Sequence, residues 1–251
     1  MTIFDGRAVL VTGSSRGIGA AIAHAFAAKG DRVAIHYSSS HAAADAVHAA
    51  LPGDGHIVVH ADLANADSVR TMVDDVAQQL GSVDVLVNNA GKFIAHPIDD
   101  TTYEEWQRAW EQTLAVNLIG AANATWCAVR HMGRGGRIVN VSSRGAFRGE
   151  PSQPAYGVSK AGLVALGQSL ARALGPRGIS VTTVAPGFAD TDMAAEALAG
   201  EGIERRSAES PLGRIARVEE IAAAVVYLAS PLAEIATGTV LDLNGASHLR
   251  I

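Results

Sequence analysis

Tyr156 and Lys160, four positions apart in a stretch with helical periodicity, are the residues in this chain best suited to chemistry. At this spacing two side chains lie on one helix face, within reach of each other. A tyrosine hydroxyl titrates near pH ~10, and a neighbouring ammonium group favours the phenolate and lowers that pKa. The pair therefore indicates proton transfer at Tyr156, although so short a pattern also occurs on helix surfaces without a chemical role.

A glycine-rich turn supplies a second signal. It reads Thr12-Gly13-Ser14-Ser15-Arg16-Gly17-Ile18-Gly19 and joins a short apolar strand to a helix. The free N–H groups and the dipole of a helix N-terminus attract a pyrophosphate, so this context is the one that a dinucleotide site requires. The spacing is longer than that of the common G-x-G-x-x-G fingerprint, and a turn alone is weak evidence.

Two further polar segments follow predicted strands. Asp62-Leu63 comes directly after the third strand, and Asn88-Asn89-Ala90-Gly91 ends the fourth. Each segment alone fits an ordinary turn, since Asn, Asp and Gly are turn residues. Because the carboxyl ends of parallel strands meet at one edge of a sheet, we expect both segments to lie beside the glycine turn.

The elements that position these residues alternate between strands and helices. Most of the predicted strands are near-continuous apolar runs, which are typical of a sheet covered on both faces. The strands are Arg7–Thr12, Arg32–Tyr37, His56–His60, Val83–Val87, Gly136–Val141, Ile179–Val184 and Thr239–Asp242. The predicted helices are Ile18–Lys29, His41–Leu51, Ser68–Leu80, Tyr103–Met132, Pro154–Leu174 and Val218–Ala229. This order predicts an α/β fold: a doubly wound, Rossmann-type parallel sheet of about seven strands with helices on both faces. We expect residues 1–251 to form a single dinucleotide-binding catalytic domain, with an insertion at 188–217 acting as a substrate lid.

Composition excludes several classes of function. Apolar residues make up 48% of the 251 residues, so the chain has enough apolar surface to bury and is not disordered. The net charge of −5, without a run of basic residues, argues against a nucleic-acid partner. The longest apolar run, 221–229, is too short to span a membrane, and Asp5 and Arg7 interrupt any secretory signal. Cys127 is the only cysteine, and the nine histidines form no compact ligand set, so we predict a cytoplasmic protein without a metal site.

Together with Asn117, Ser143 and the segment Pro186-Gly187 with Thr191, these motifs make the chain resemble the short-chain dehydrogenase/reductase family. The resemblance covers essentially the whole chain and is to single-domain members of the 3-oxoacyl-carrier-protein reductase type. It implies an NADP(H)-dependent oxidoreductase that interconverts a ketone and a secondary alcohol, a 3-oxoacyl thioester being one candidate. It also implies a homotetramer, which alanines on the two long helices could support by letting helices approach closely: Ala121, Ala124, Ala128, Ala161, Ala165 and Ala171.

The resemblance implies a role for each candidate catalytic residue. Tyr156 would exchange the proton with the substrate oxygen, which Ser143, rather than Ser142, would hold. Lys160 would lower the tyrosine pKa and bind the nicotinamide ribose, and Asn117 would anchor a water in a proton relay. The candidate cofactor-binding residues, with Tyr156 and Lys160 among them, are Gly13, Ser14, Ser15, Arg16, Gly17, Ile18, Gly19, Tyr37, Ser38, Asp62, Leu63, Asn89, Ala90, Gly91, Pro186, Gly187, Phe188 and Thr191.

The end of the second strand bears on cofactor choice. NAD-dependent enzymes commonly place a carboxylate there, which holds the ribose hydroxyls and repels a 2′-phosphate. This chain has Tyr37 followed by Ser38, Ser39 and Ser40, and Arg16 in the glycine turn could add a charge-assisted contact. We therefore expect NADP(H) to be preferred, with NAD(H) open as an alternative because the usual second basic residue is missing.

Other functions share this fold. An epimerase, a dehydratase or an enoyl reductase is the alternative among enzymes, since the fold does not fix the reaction. The Tyr-x3-Lys spacing favours carbonyl chemistry. A non-catalytic dinucleotide-binding regulator is the alternative among binding proteins, and the full set of four catalytic candidates argues against it. Lys92, Arg144 and Arg148 could attract an anionic substrate, but a solvated charged surface is the favoured interpretation.

Overall fold

A computed structural model describes residues 6–191 and 202–250. Its seven strands pair in parallel in the order β3-β2-β1-β4-β5-β6-β7. The order reverses direction between β1 and β4, and a crevice for ligands forms at such a switch point. The strands are β1 Ala8–Val11, β2 Arg32–Tyr37, β3 Ile57–His60, β4 Val85–Asn88, β5 Arg137–Val141, β6 Ser180–Pro186 and β7 Val240–Leu243.

Nine α-helices lie in the described residues, together with three segments of other helical type. The α-helices are α1 Gly17–Ala27, α2 His41–Ala50, α3 Ala66–Leu80, α4 Tyr103–Leu114, α5 Ala121–His131, α6 Gly145–Arg148, α7 Pro154–Leu174, α8 Gly202–Ala208 and α9 Val218–Leu228. A π-helical turn, Ala115–Gly120, joins α4 to α5, and 3-10 turns cover Gly175–Arg177 and Pro231–Ala236.

The core lies on both faces of the sheet because each strand contributes apolar side chains to both. Leu10 and Leu86 point to the face covered by α3, α5 and α7, and Val9 and Val85 point to the face covered by α1 and α9. Phe26 of α1 is fully buried in the second cluster. This two-sided burial confirms the predicted doubly wound architecture and explains why the strands read as unbroken apolar runs.

The structure corrects the predicted helices in one place that matters for the site. The predicted helix Tyr103–Met132 is interrupted by the π-helical turn that contains Asn117. Gly120 permits this arrangement, since a Cβ there would lie 2.6 Å from the carbonyl oxygen of Leu63. Helices α6 and α8 were missed because they are short, and helix periodicity is detectable only over longer windows.

The predicted lid at 188–217 is described only in part. Residues 192–201 of it lie outside the described residues, and α8 lies in the remainder. The lid and the single-domain boundary both stay predictions. None of the helices in the described ranges is both long and apolar enough to cross a bilayer.

Candidate active site

Tyr156 and Lys160 lie on the first two turns of α7, beside the carboxyl end of β5. The Lys160 ammonium donates a hydrogen bond of 2.8 Å to the carbonyl oxygen of Val141, and its nitrogen lies 5.7 Å from the centroid of the Tyr156 ring. Lys160 is only 3% exposed, whereas Tyr156 is half-buried. The helix thus places the lysine beside the tyrosine ring and leaves the tyrosine residue partly exposed.

Ser142 and Ser143, adjacent at the end of β5, point in different directions. The buried Ser142 hydroxyl donates 2.8 Å to the carbonyl oxygen of Lys160, so it fastens α7 to the sheet. The Ser143 side chain lies beside the Tyr156 hydroxyl and favours a lower pKa for it, and its Oγ accepts 3.0 Å from the N–H of Gly145. Only Ser143 therefore shares the space around the tyrosine hydroxyl, and its own O–H can donate to a substrate oxygen there.

Burial moves the pKa values of the pair in opposite directions. It raises the pKa of Tyr156 to about 12, an effect that the Ser143 hydrogen bond opposes and the Glu150 carboxylate reinforces. It lowers the pKa of Lys160 to about 8. In this arrangement desolvation outweighs the ammonium's expected lowering of the tyrosine pKa, so Tyr156 holds its proton at neutral pH and is set to act as an acid.

For the ketone reduction that the family resemblance implies, these two pKa values predict a pH profile. Below about pH 8 Lys160 is charged and Tyr156 is protonated, so we expect kcat/KM for NADPH to be constant there. Above about pH 8 the Lys160 ammonium deprotonates, and kcat/KM for NADPH should fall about tenfold per pH unit. Initial rates at saturating ketone from about pH 6 to about pH 10 measure this. A Lys160→Met variant should be slow, and its kcat/KM should not decline at high pH. A pH profile without any decline in the unmodified protein would contradict the prediction.

Asn117 links the loop after β4 to α7. Its Oδ1 accepts 2.6 Å from the N–H of Lys92, and its Nδ2 donates 3.0 Å to the Lys92 carbonyl oxygen and 3.0 Å to Oγ of Ser159. A Cβ on Gly91 would lie 3.4 Å from the Lys160 nitrogen and 3.7 Å from the Asn117 Oδ1. Because Gly91 has no side chain, the side chains of Asn117 and Lys160 can both approach its Cα closely. The water relay expected of Asn117 stays a prediction.

The glycine turn packs tightly against the segment after β4. A Cβ on Gly19 would lie 2.3 Å from the Gly13 carbonyl oxygen, and one on Gly13 would lie 2.8 Å from the Cα of Ala90. The Asn89 amide donates to the carbonyl oxygens of Thr12 (2.9 Å) and Gly13 (3.1 Å). These contacts fix the backbone of the turn directly before α1.

His36 is a site residue that sequence reasoning missed. Its Nδ1 accepts 2.8 Å from the N–H of Gly13, and its Nε2 lies 3.1 Å from the carbonyl oxygen of Ala61. The ring is 1% exposed, and burial lowers its pKa to about 4, so it is neutral with the proton on Nε2. The sequence does contain a signal for this role, since His36 is a polar residue inside an apolar strand. A polar residue that is buried in this way must find hydrogen-bond partners.

Four further cofactor candidates lie on the segments that follow β3 and β6. A Cβ on Gly17 would lie 3.4 Å from the Thr191 side chain, so the segment after β6 reaches the glycine turn. Gly187 fits closely against Asn244, since a Cβ on Gly187 would lie 3.1 Å from the Asn244 Cα. The exposed Asp62 carboxylate accepts a bond of 3.0 Å from the N–H of Ala64. The Leu63 side chain is buried in the core, so only its backbone can face a ligand.

Tyr37 lies between the imidazole rings of His41 and His60, and the sequence analysis did not predict this contact. Its ring centroid is 5.2 Å from that of His41 and 5.1 Å from that of His60. The His60 Nε2 lies 3.2 Å from the Ser38 carbonyl oxygen, and His41 forms an ion pair with Asp45 when it is protonated. The end of β2 therefore carries basic groups besides the exposed Arg16 of the glycine turn.

Arg144 is not the solvated surface charge that the sequence suggested. Its side chain is 4% exposed, and it forms an ion pair of 2.6 Å with Glu209 just beyond α8. Glu209 also pairs with Arg206 at 2.7 Å, and both guanidinium groups lie over the Phe188 ring. The cluster joins the loop after β5 to the described part of the predicted lid, beside a cavity of about 260 Å³. Lys92, in contrast, is exposed and bonds to Gln112.

The residues present fit a dinucleotide. Among the described residues no side chain caps the N-terminus of α1, so its first N–H groups are available to a pyrophosphate. Gly13 and Gly19 let the turn pack closely, because a Cβ at either position would clash with Ala90 or with the Gly13 carbonyl oxygen. Fold and site together define an oxidoreductase of the Rossmann class.

Comparisons with known proteins agree with this class. Residues 13–248 match the family model described as enoyl-(acyl carrier protein) reductase. L-Rhamnose 1-dehydrogenase (NAD(P)(+)) of Azotobacter vinelandii is 41% identical over 260 residues, which cover 100% of both chains. The 3-oxoacyl-(acyl-carrier-protein) reductase of Staphylococcus aureus is 38% identical over 247 residues, covering 97% of this chain and 98% of the relative. A crystal structure of a short-chain dehydrogenase from Burkholderia cenocepacia in complex with NADP has a TM-score of 0.87 at 39% identity. The match covers 97% of this chain and 98% of the Burkholderia chain. The chain belongs to the short-chain dehydrogenase/reductase family and is an oxidoreductase.

Proposed function

We propose that this enzyme interconverts a ketone and a secondary alcohol with NADP(H), and that 3-oxoacyl thioesters are among its substrates. The observation that carries the proposal is the grouping of the Tyr156 hydroxyl with the Ser143 side chain beside it and the Lys160 ammonium nitrogen 5.7 Å from the ring centroid. This arrangement places an acid and a second hydroxyl donor around one point, where a carbonyl oxygen gains charge during reduction.

The chain's own residues perform the proton part of the reaction. The nicotinamide, when bound, supplies a hydride to the carbonyl carbon. As charge develops on the carbonyl oxygen, Ser143 donates a hydrogen bond to it and Tyr156 transfers its proton, which yields the alcohol. The Lys160 ammonium stabilises the phenolate that is left until it regains a proton from solvent. Oxidation of an alcohol uses the same groups in reverse.

Several polar residues at the carboxyl ends of β1 and β2 support NADP(H) as the preferred cofactor. Ser38, Ser39 and Ser40 carry hydroxyls that can donate to a 2′-phosphate, and no carboxylate stands at Tyr37 to repel it. The solved relative from Burkholderia cenocepacia is described with NADP, whereas the Azotobacter relative's name includes both cofactors. We therefore keep NAD(H) as the second cofactor in every assay.

Enoyl reduction is the competing reaction, since the matching family model carries that description. The close contact between Ser143 and Tyr156 favours a substrate whose oxygen receives the proton, as in carbonyl reduction. An enoyl thioester must instead take up its proton at carbon in the overall reaction. Oxidation of a sugar at its anomeric hydroxyl, which the name of the Azotobacter relative suggests, uses the same proton transfer as alcohol oxidation.

A substrate panel tests the proposal. The purified protein is assayed with a 3-oxoacyl thioester, the matching enoyl thioester, simple ketones, secondary alcohols and L-rhamnose, each with both cofactors in the appropriate redox state. Absorbance of the reduced nicotinamide follows every reaction. We expect 3-oxoacyl thioester and ketone reduction with NADPH to be fastest. Turnover of the enoyl thioester alone would overturn the carbonyl assignment, and no turnover with bound NADPH would favour a regulator.

We also expect a homotetramer. Of the six alanines that suggested close helix packing, Ala121, Ala124, Ala128 and Ala171 are buried within the chain itself, and only Ala161 and Ala165 are exposed. Exposed apolar side chains nearby on the same two helices include Trp126 and Val158. Light scattering at micromolar concentration should give about four times the chain mass of 25.9 kDa. A mass of one or two chains would contradict the tetramer.

A further inference from the structure

His96, in the loop after β4, is a buried histidine without a part in the proton transfer described above. Its Nδ1 lies 2.8 Å from the carbonyl oxygen of Ile94, and its Nε2 lies 3.2 Å from the backbone nitrogen of Ala155. The Ala155 N–H can only donate, so Nε2 must be the acceptor and the ring proton must be on Nδ1, donated to Ile94. The neutral ring is 1% exposed and packs edge-on against Trp106, with centroids 5.3 Å apart.

The N-terminus of α7 needs this acceptor. Within the described part of the chain Gln153 provides no side-chain cap, and Pro154 at the first position has no N–H. The N–H groups of Tyr156 and Gly157 both donate to the Gln153 carbonyl oxygen, at 3.0 and 3.4 Å. This leaves the N–H of Ala155, which is fully buried, so water cannot satisfy it. The imidazole of His96 is its hydrogen-bond partner.

We propose that His96 is a positioning residue for Tyr156, a role that rests on the proposed function. Ala155 directly precedes the tyrosine, so the bond that its N–H donates to His96 fixes the first turn of α7 and with it the direction of the phenol toward Ser143. The same loop supplies Phe93, whose ring lies edge-on against that of Tyr156 with centroids 5.1 Å apart. Losing the acceptor frees this turn, and misplacement of a reacting group by about 1 Å can lower the rate about a hundredfold.

Two substitutions separate the two hydrogen bonds of His96. In His96→Gln, the side-chain oxygen can reach the position of Nε2 and accept from Ala155, but the bond to Ile94 is lost. In His96→Asn, the shorter amide can replace Nδ1 as the donor to Ile94 but cannot reach Ala155. We expect His96→Asn to lower kcat about 10- to 100-fold, and His96→Gln to stay within about threefold of the unmodified enzyme. The dissociation constant for NADPH should change less than about twofold in both, since the glycine turn is not involved.

The kcat of both His96 variants is measured with the ketone that is reduced fastest in the panel. Thermal unfolding of each variant and the kcat of Tyr156→Phe serve as controls. Equal losses of kcat in the Asn and Gln variants, tracking their loss of thermal stability, would show a merely structural role and overturn the proposal. Full activity of His96→Asn would also overturn it, while an inactive Tyr156→Phe would leave the proposed function intact. An active Tyr156→Phe would instead refute the function itself. If both His96 variants fail to fold, the ¹⁵N chemical shifts of the His96 ring in the unmodified protein test the proposal instead. A proton on Nδ1 is expected, and a proton on Nε2 would overturn the proposal.

Discussion

Replacing Tyr156 by Phe is expected to abolish turnover while leaving NADPH binding nearly intact. The substitution removes only the hydroxyl that lies beside Ser143, and the ring can keep its contact with Phe93. Loss of a general acid typically lowers the rate by about 10² to 10⁴-fold or more. The measurement is kcat with the best ketone, together with a fluorescence titration of NADPH. A variant that retains a third of the unmodified kcat would contradict the proposed role.

The two serines at the end of β5 provide a matched control. Ser143→Ala removes the second donor to the carbonyl oxygen and should lower kcat by about 10². Ser142→Ala removes a buried hydrogen bond to the backbone of Lys160, so it should cost about 1 kcal/mol of folding stability with a much smaller effect on kcat. Equal effects on kcat would show that the position around the tyrosine hydroxyl has been assigned wrongly.

Changing Tyr37 to Asp should shift the cofactor preference toward NADH. The new carboxylate at the end of β2 can hold the ribose hydroxyls and repels a 2′-phosphate. Arg16→Ala should weaken NADPH about 10- to 100-fold and NADH far less, because charge-assisted hydrogen bonds are each worth about 1.5–3 kcal/mol. The measured quantity is the ratio of kcat/KM for NADPH to that for NADH.

The exposed Tyr103 at the start of α4 offers the control for this change. Tyr103→Asp introduces the same charge away from β2, and the cofactor ratio should stay that of the unmodified enzyme. If the unmodified enzyme uses both cofactors with equal kcat/KM, the interpretation of Tyr37 and the serines after it is wrong.

The sequence alone determined the architecture of this protein, because repeated short periods carry that information. Strands buried on both faces are predominantly apolar, and glycines and polar residues at their ends mark turns. The family was recognisable for a similar reason: the glycine turn, the segment after β4 and the Tyr-x3-Lys pair are local patterns. The positions of Tyr156, Lys160, Asn117 and Ser143 near one another followed from the parallel order of strands, which brings their ends to one edge.

Only the tertiary structure shows the contacts that individual side chains make. The family resemblance favours Ser143 over Ser142, and the structure adds the reason: the Ser142 hydroxyl bonds to the backbone of Lys160, whereas Ser143 lies beside Tyr156. Arg144 looks like a surface charge, but its ion-pair partner Glu209 comes from a distant segment of the chain and allows its burial. His36 and His96 are further cases, because their hydrogen-bond partners Gly13 and Ala155 are brought near only by the packed sheet and helices. Local spacing fixes periodicity and turns, whereas burial, desolvation and the pKa values that depend on them arise from contacts between distant segments.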